Sequence, residues 1–145
     1  MPGQLHVPVI DYSQENNFGG LGLEGRTDGE SVTQMTIDGL SLARLDLLKA
    51  DVEGMECDVI LGGQKTIERC RPLLYVENDR DEKSATMLGL IHDLGYMAYE
   101  HTPRLFVETN YFGEKQNPFG NIISRNIFAV HKTVAANITG LKVLD

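Results

Sequence analysis

Two carboxylates, Asp51 and Glu53, close an apolar run that begins at Leu47, and Gly54 follows them directly. Such a run suits a buried parallel strand, whose last residues then stand at the rim of an α/β sheet. Ligands of open α/β sheets bind in the crevice outside those carboxyl ends. Asp51 is therefore a candidate base or ligand contact. Glu53 reads either as a second contact or as an acid favoured by the dipole of the following helix. Glu77, Asn78 and Asp79 repeat the arrangement after a second apolar run. Two acidic strand ends side by side could hold a divalent cation through hard oxygen ligands, or could bind a ribose or a substrate hydroxyl. A solvated polar turn is the plainer account. His101 lies just past a third strand-like run and is the histidine best placed for acid–base work or substrate contact; His6, His92 and His131 read as structural.

Other motifs carry less. Gly20-Leu21-Gly22-Leu23-Glu24-Gly25 has the letters of a dinucleotide fingerprint. That fingerprint needs a strand just before it and a helix opening at its third glycine. Here Ser13–Asn17 intervenes and Arg26-Thr27-Asp28-Gly29 is turn-like, so the stretch reads as loop. No serine or cysteine sits in a nucleophile elbow. Cys57 and Cys70 lack metal-ligand spacing and read as reduced structural thiols.

The elements that must position these residues alternate between strand and helix. Leu5–Tyr12, broken by Pro8, suits an edge strand, and Ser13–Thr27 is loop. Ser31–Ile37 alternates like a strand, and Leu45–Val52 is the first central strand. Glu56–Arg69 reads as one helix closed by Arg71-Pro72. Leu73–Glu77 is a second buried strand, Asp81–Leu94 an amphipathic helix with Gly95 behind it, and Tyr96–Glu100 a third strand. Thr102–Ser124 is a long Pro- and Asn-containing segment, of a length usually functional or disordered. Asn126–His131 is the last strand, and 132–145 reads as a flexible tail. The pattern indicates one α/β domain over 1–145 with a mostly parallel sheet and an antiparallel edge made by the last two strands.

At 145 residues the chain can bury a sizeable core, and its formal charge of −8 argues against nucleic-acid or anionic-membrane partners. Neither a signal peptide nor an apolar run of membrane-spanning length is visible, so the expected address is cytoplasmic.

Taken together and in order, these residues resemble the core of the FkbM-type methyltransferase family. The resemblance rests on Thr36-Ile37-Asp38-Gly39-Leu40, on Asp51 to Glu56, on Val59-Ile60-Leu61-Gly62-Gly63 and on Arg71 to Arg80. Leu94-Gly95-Tyr96 and Asn16-Asn17-Phe18-Gly19-Gly20 add to it, so that it spans about Val7 to Val130. It implies an S-adenosylmethionine-dependent enzyme with a Rossmann-like class I sheet, acting on hydroxyls of saccharides or other small natural products. Under that implication Asp51 ends the fourth strand and Glu77 the fifth. Asp51 or His101 is then the base, and Glu53, Gly54, Glu77, Asn78 and Asp79 contact substrate or cofactor. Asp51, Glu77 and Asn78 also look similar to the magnesium ligands of catechol-type O-methyltransferases. The family's glycine-rich first motif has no counterpart here, nor has the acid that ends its second strand. The chain therefore reads as N-terminally truncated, the substrate-side half of the domain. The rival expectation is a non-catalytic module that keeps the fold without the cofactor. An exposed edge on the Asp51 strand then predicts a homodimer paired through that edge, or its cover by Ser31–Ile37.

Overall fold

The computed structural model describes residues 3–134 and 137–145. Met1, Pro2, Ala135 and Ala136 lie outside the described residues, and the expected tail includes the last two.

Two sheets form. Strand β1 (Gly3–Val7) stops at Pro8 and pairs antiparallel with β2 (Glu30–Gln34), Leu5 opposite Val32. The main sheet contains β3 (Leu47–Ala50), β4 (Leu73–Glu77), β5 (Tyr96–His101), β6 (Asn126–His131) and β7 (Lys142–Leu144). Their spatial order is β3-β4-β6-β5-β7. β3 and β4 pair in parallel, with Ala50 opposite Val76. β6 runs antiparallel to both β4 and β5, which therefore share one direction.

Three expectations change here. The sheet is not mostly parallel: β3–β4 is its one parallel pairing among the described residues, and β6, expected with β5 at an edge, lies between β4 and β5. Its apolar run Ile127–Val130 is buried almost throughout, which suits an interior place. Second, Lys142–Leu144 is strand rather than tail, pairing with β5 so that Val143 stands opposite Tyr99. Third, β2 does not cover the β3 edge; it pairs with β1 alone, and β3 is an outer strand among the described residues.

The single helix expected over Glu56–Arg69 is two, α1 (Glu56–Gly62) and α2 (Gln64–Cys70). The break falls at Gly63, where a Cβ would come within 3.1 Å of the Ile37 side chain. Asp38 then receives the start of α2, its carboxylate accepting from the backbone N–H of Thr66 (2.8 Å) and Lys65 (3.2 Å). A side-chain acceptor at a helix start satisfies donors that have no partner within the helix. Helix α3 (Asp81–Asp93) follows β4, with Met87 and Ile91 buried as its periodicity requires.

All three helices serve one face of the sheet. Along β4, Leu74 and Val76 are buried, and the core joins them to Ala50, Ile60, Ile67, Ile91, Ala98, Ile127 and Ala129. Because strand residues alternate faces, Tyr75 and Glu77 point the other way, with Phe128 and Asn126 beside them. That second face carries the candidate site.

Candidate functional site

The β3 and β4 ends meet as the apolar runs imply. Ala50 stands opposite Val76, which brings Asp51 alongside Glu77. Carboxylate oxygens of Asp51, Glu53 and Glu77 lie within 4.8 Å of one another. Three acids this close repel, so the turn that holds them must be built for it.

The turn Val52–Gly54 has two successive residues with positive φ, Glu53 at 54° and Gly54 at 99°. A left-handed conformation is uncommon for a residue with a Cβ and costs on the order of 1–3 kcal/mol unless its surroundings impose it. Here they do. Glu56, buried at the start of α1, turns its carboxylate back to accept from the N–H of Val52 (3.0 Å) and Gly54 (3.1 Å). The Arg80 side chain packs so closely that a Cβ on Gly54 would fall 2.7 Å from its Nε. Its Nη2 reaches Glu53 Oε2 at 3.5 Å. Lys83 Nζ donates to the Gly54 carbonyl at 2.8 Å.

The three acids differ in environment. Asp51 is exposed and paired with Lys49 at 2.6 Å. Glu53 has the Arg80 guanidinium. Among the described residues Glu77 has no cation of its own, and its Oε2 is shut from solvent without a hydrogen-bond partner. Burial, and then repulsion from Asp51, Asp79, Glu53 and Glu56, pushes its carboxyl up to about 7. A carboxyl titrating near neutrality can take up or give a proton under ordinary conditions.

The remaining candidates separate from this centre. Asn78 turns away: its Nδ2 donates to Ser84 Oγ at 2.9 Å, and its N–H to the Arg125 carbonyl. Glu53 rather than Asn78 is the third oxygen donor beside Asp51 and Glu77. Asp79 is exposed, 3.9 Å from Arg80. His101 shares the row, since Glu77 pairs with Asn126 and Asn126 with His101. Two strand spacings put it about 10 Å from Glu77. Its Nδ1 meets the Tyr75 hydroxyl at 2.9 Å. His101 therefore stands apart from the Asp51–Glu53–Glu77 cluster. A cleft of about 140 Å³ opens beside the row, lined by Asn78, Ser84, Glu100, Thr102, Arg125 and Asn126. Gly20–Gly25 is loop with no helix behind it, as its surroundings in the sequence suggest.

Glu56, Tyr75, Arg80, Lys83 and Asn126 escaped the sequence reading. Glu56 carried one usable signal, an acid at the first helical position two residues past a glycine. Asn126 carried none, because its role depends on β6 entering between β4 and β5.

The donor set fits a hard divalent cation: three carboxylate oxygens converge, and one buried oxygen has no partner. It does not extend to a nucleoside cradle. Among the described residues, no turn with two or more glycines joins a strand to a helix.

A family model described as the methyltransferase FkbM domain matches residues 6–98, well over half of the chain. No curated protein and no solved structure matches.

Proposed function

The chain belongs to the FkbM methyltransferase domain family, and from that premise we propose that it carries the acceptor side of an S-adenosylmethionine-dependent O-methyl transfer. The acceptor class is a hydroxyl of a saccharide or another small molecule. One observation carries this reading: Glu77, pushed to about 7, stands within 4.8 Å of Asp51 and Glu53 at the joined ends of β3 and β4.

In methyl transfer the acceptor oxygen must lose its proton as it attacks. Glu77 in its ionised form takes that proton, and its raised pKa places the exchange near neutral pH. Burial, and then repulsion from Asp51, Asp79 and Glu53, makes Glu77 basic enough. A divalent cation held by the same three carboxylates would instead lower the hydroxyl pKa directly. It would also pull the Glu77 pKa back down, so metal and proton compete for one site. The segment 102–125, pinched by the Arg104–Ile123 bridge, leaves Tyr111 and Phe112 exposed and able to contact an acceptor. The parallel β3–α1–α2–β4 unit is what a Rossmann-like class I sheet requires at this place, with Asp51 and Glu77 at its strand ends.

The missing glycine cradle favours a second reading, a module that keeps the fold and does not bind the cofactor alone. Calorimetric titration with S-adenosylmethionine separates the two. Micromolar binding supports the enzyme reading and removes the second; no binding assigns cofactor capture to other residues or to a partner. The open edge of β3 further supports pairing with a second copy. Light scattering would then give twice 16.1 kDa, whereas a strict monomer rejects it.

A further inference from the structure

The glycine-rich stretch that fails as a dinucleotide fingerprint still has a place in the molecule. Gly20–Leu23 and Arg26 are half-buried, whereas the residues before and after them are exposed. The stretch lies against the acidic turn: a Cβ on Gly22 would meet the Glu53 carbonyl oxygen at 3.4 Å. It holds its own shape through Arg26, whose Nε donates to the Gly22 carbonyl (3.0 Å) and whose N–H donates to that of Leu23 (3.3 Å). Strand pairing plays no part, since β1 and β2 end on either side of it. Its polar tie to the body is Glu24, whose carboxylate accepts from Lys83 Nζ. The same ammonium donates to the Gly54 carbonyl. One cation, on the first turn of α3, thus joins a surface loop to the turn that presents Glu53.

We propose that residues 20–26 form a strap that Lys83 latches against the Glu53 turn, and that the strap opens and closes on the folded protein. Both latch partners are substantially exposed, at 34% for Lys83 and 60% for Glu24. Exposed ion pairs are weak and screened by salt, so this latch biases the strap without locking it. When the strap lifts, the Glu53 turn loses its neighbour on that side and Lys83 keeps only the Gly54 carbonyl. The posture of the Glu53 turn then depends on a segment some thirty residues away in sequence. The consequence for Glu53 rests on the site proposed above; the latch itself does not.

Trypsin reads the open state, because the Arg26–Thr27 bond can be cut only when the strap leaves the surface. Cleavage of a fast-opening segment tracks its open population. Initial cleavage rates at Arg26 are compared with those at the exposed Arg44 as an internal reference, by mass spectrometry, in full-length protein with unchanged far-UV circular dichroism. Lys83→Met is expected to raise the Arg26 rate roughly two- to fivefold and leave the Arg44 rate unchanged. Glu24→Gln, corrected for its intrinsic effect with the free peptide, gives the same rise. The double variant gives no more than either single. Equal Arg26 rates in wild type and variants, a parallel rise at Arg44, or multiplying effects in the double variant would each overturn the proposal. The carboxylates need bind nothing for this experiment to succeed, so its failure is distinct from failure of the methyl-transfer reading.

Discussion

The two faces of β4 solve opposite problems. Leu74 and Val76 point into an apolar core shared with α1, α2 and α3, where the requirement is close packing. Tyr75 and Glu77, their alternating partners, lie on the other face beside Phe128 and Asn126, where no helix among the described residues joins the packing. On that face the protein spends stability rather than gaining it. Three acids are gathered, a residue with a side chain is held at positive φ, and one carboxylate oxygen is buried without a partner. Strain and unpaired polar groups of this kind collect where a protein binds or reacts, and the rest of the fold must compensate. The difference teaches that β4 anchors the domain through one face and gathers the strained acidic cluster at the end of the other.

If that division is right, the two faces answer differently to substitution. Leu74→Ala should cost about 2–5 kcal/mol in urea unfolding, because Leu74 is fully buried and its neighbours cannot close the gap. Gly54→Ala should cost about 1–3 kcal/mol, since it imposes a side chain at φ 99° beneath Arg80. It also moves Glu53, so any cation or acceptor binding should fall further than stability does.

Glu77→Gln should act in the opposite sense. The Glu77 pKa is higher folded (about 7) than unfolded, so between about pH 4.5 and 7 the folded state holds more protons. Stability therefore declines as pH rises through that window. The glutamine variant should lack this decline and melt about 3–6 °C higher than wild type at pH 8. A variant that melts lower at pH 8 would show that the carboxylate is well accommodated. The smallest effect expected is Tyr75→Phe, about 0.5–1.5 kcal/mol by urea titration, because it removes only the hydrogen bond to His101.

How much of this was legible in the sequence follows the same division. Apolar runs ending in Asp51 and Glu77 gave both strands and their acidic ends, because a buried parallel strand leaves an uninterrupted signal. The amphipathic period of α3 was equally plain. What escaped depended on contacts between distant segments. Gly63 falls inside the single helix expected over Glu56–Arg69, and the close approach of Ile37 that accompanies the break there has no local mark. The place of β6 inside the sheet is a topological fact with no local mark, and with it went the row through Asn126. Lys142–Leu144 is too short and too polar at its start to signal a strand; pairing with β5 makes it one. Glu53 reads in the sequence either as a second contact or as a helix-terminal acid, and the positive-φ turn that sets it beside Asp51 and Glu77 has no local mark.

Central to the proposed chemistry is a Glu77 that holds its proton near neutral pH because burial, and then the neighbouring carboxylates led by Asp51, disfavour its ionised form. Carbon-13 NMR of the glutamate side-chain carboxyls, with Glu77→Gln used for assignment, follows that proton directly. A titration midpoint near 7 in wild type, lower in an Asp51→Asn/Glu53→Gln double variant that keeps its fold but still above 4.5 because burial remains, is the predicted result. A midpoint near 4.5 in wild type would contradict the account, because Glu77 would then be an ordinary surface acid.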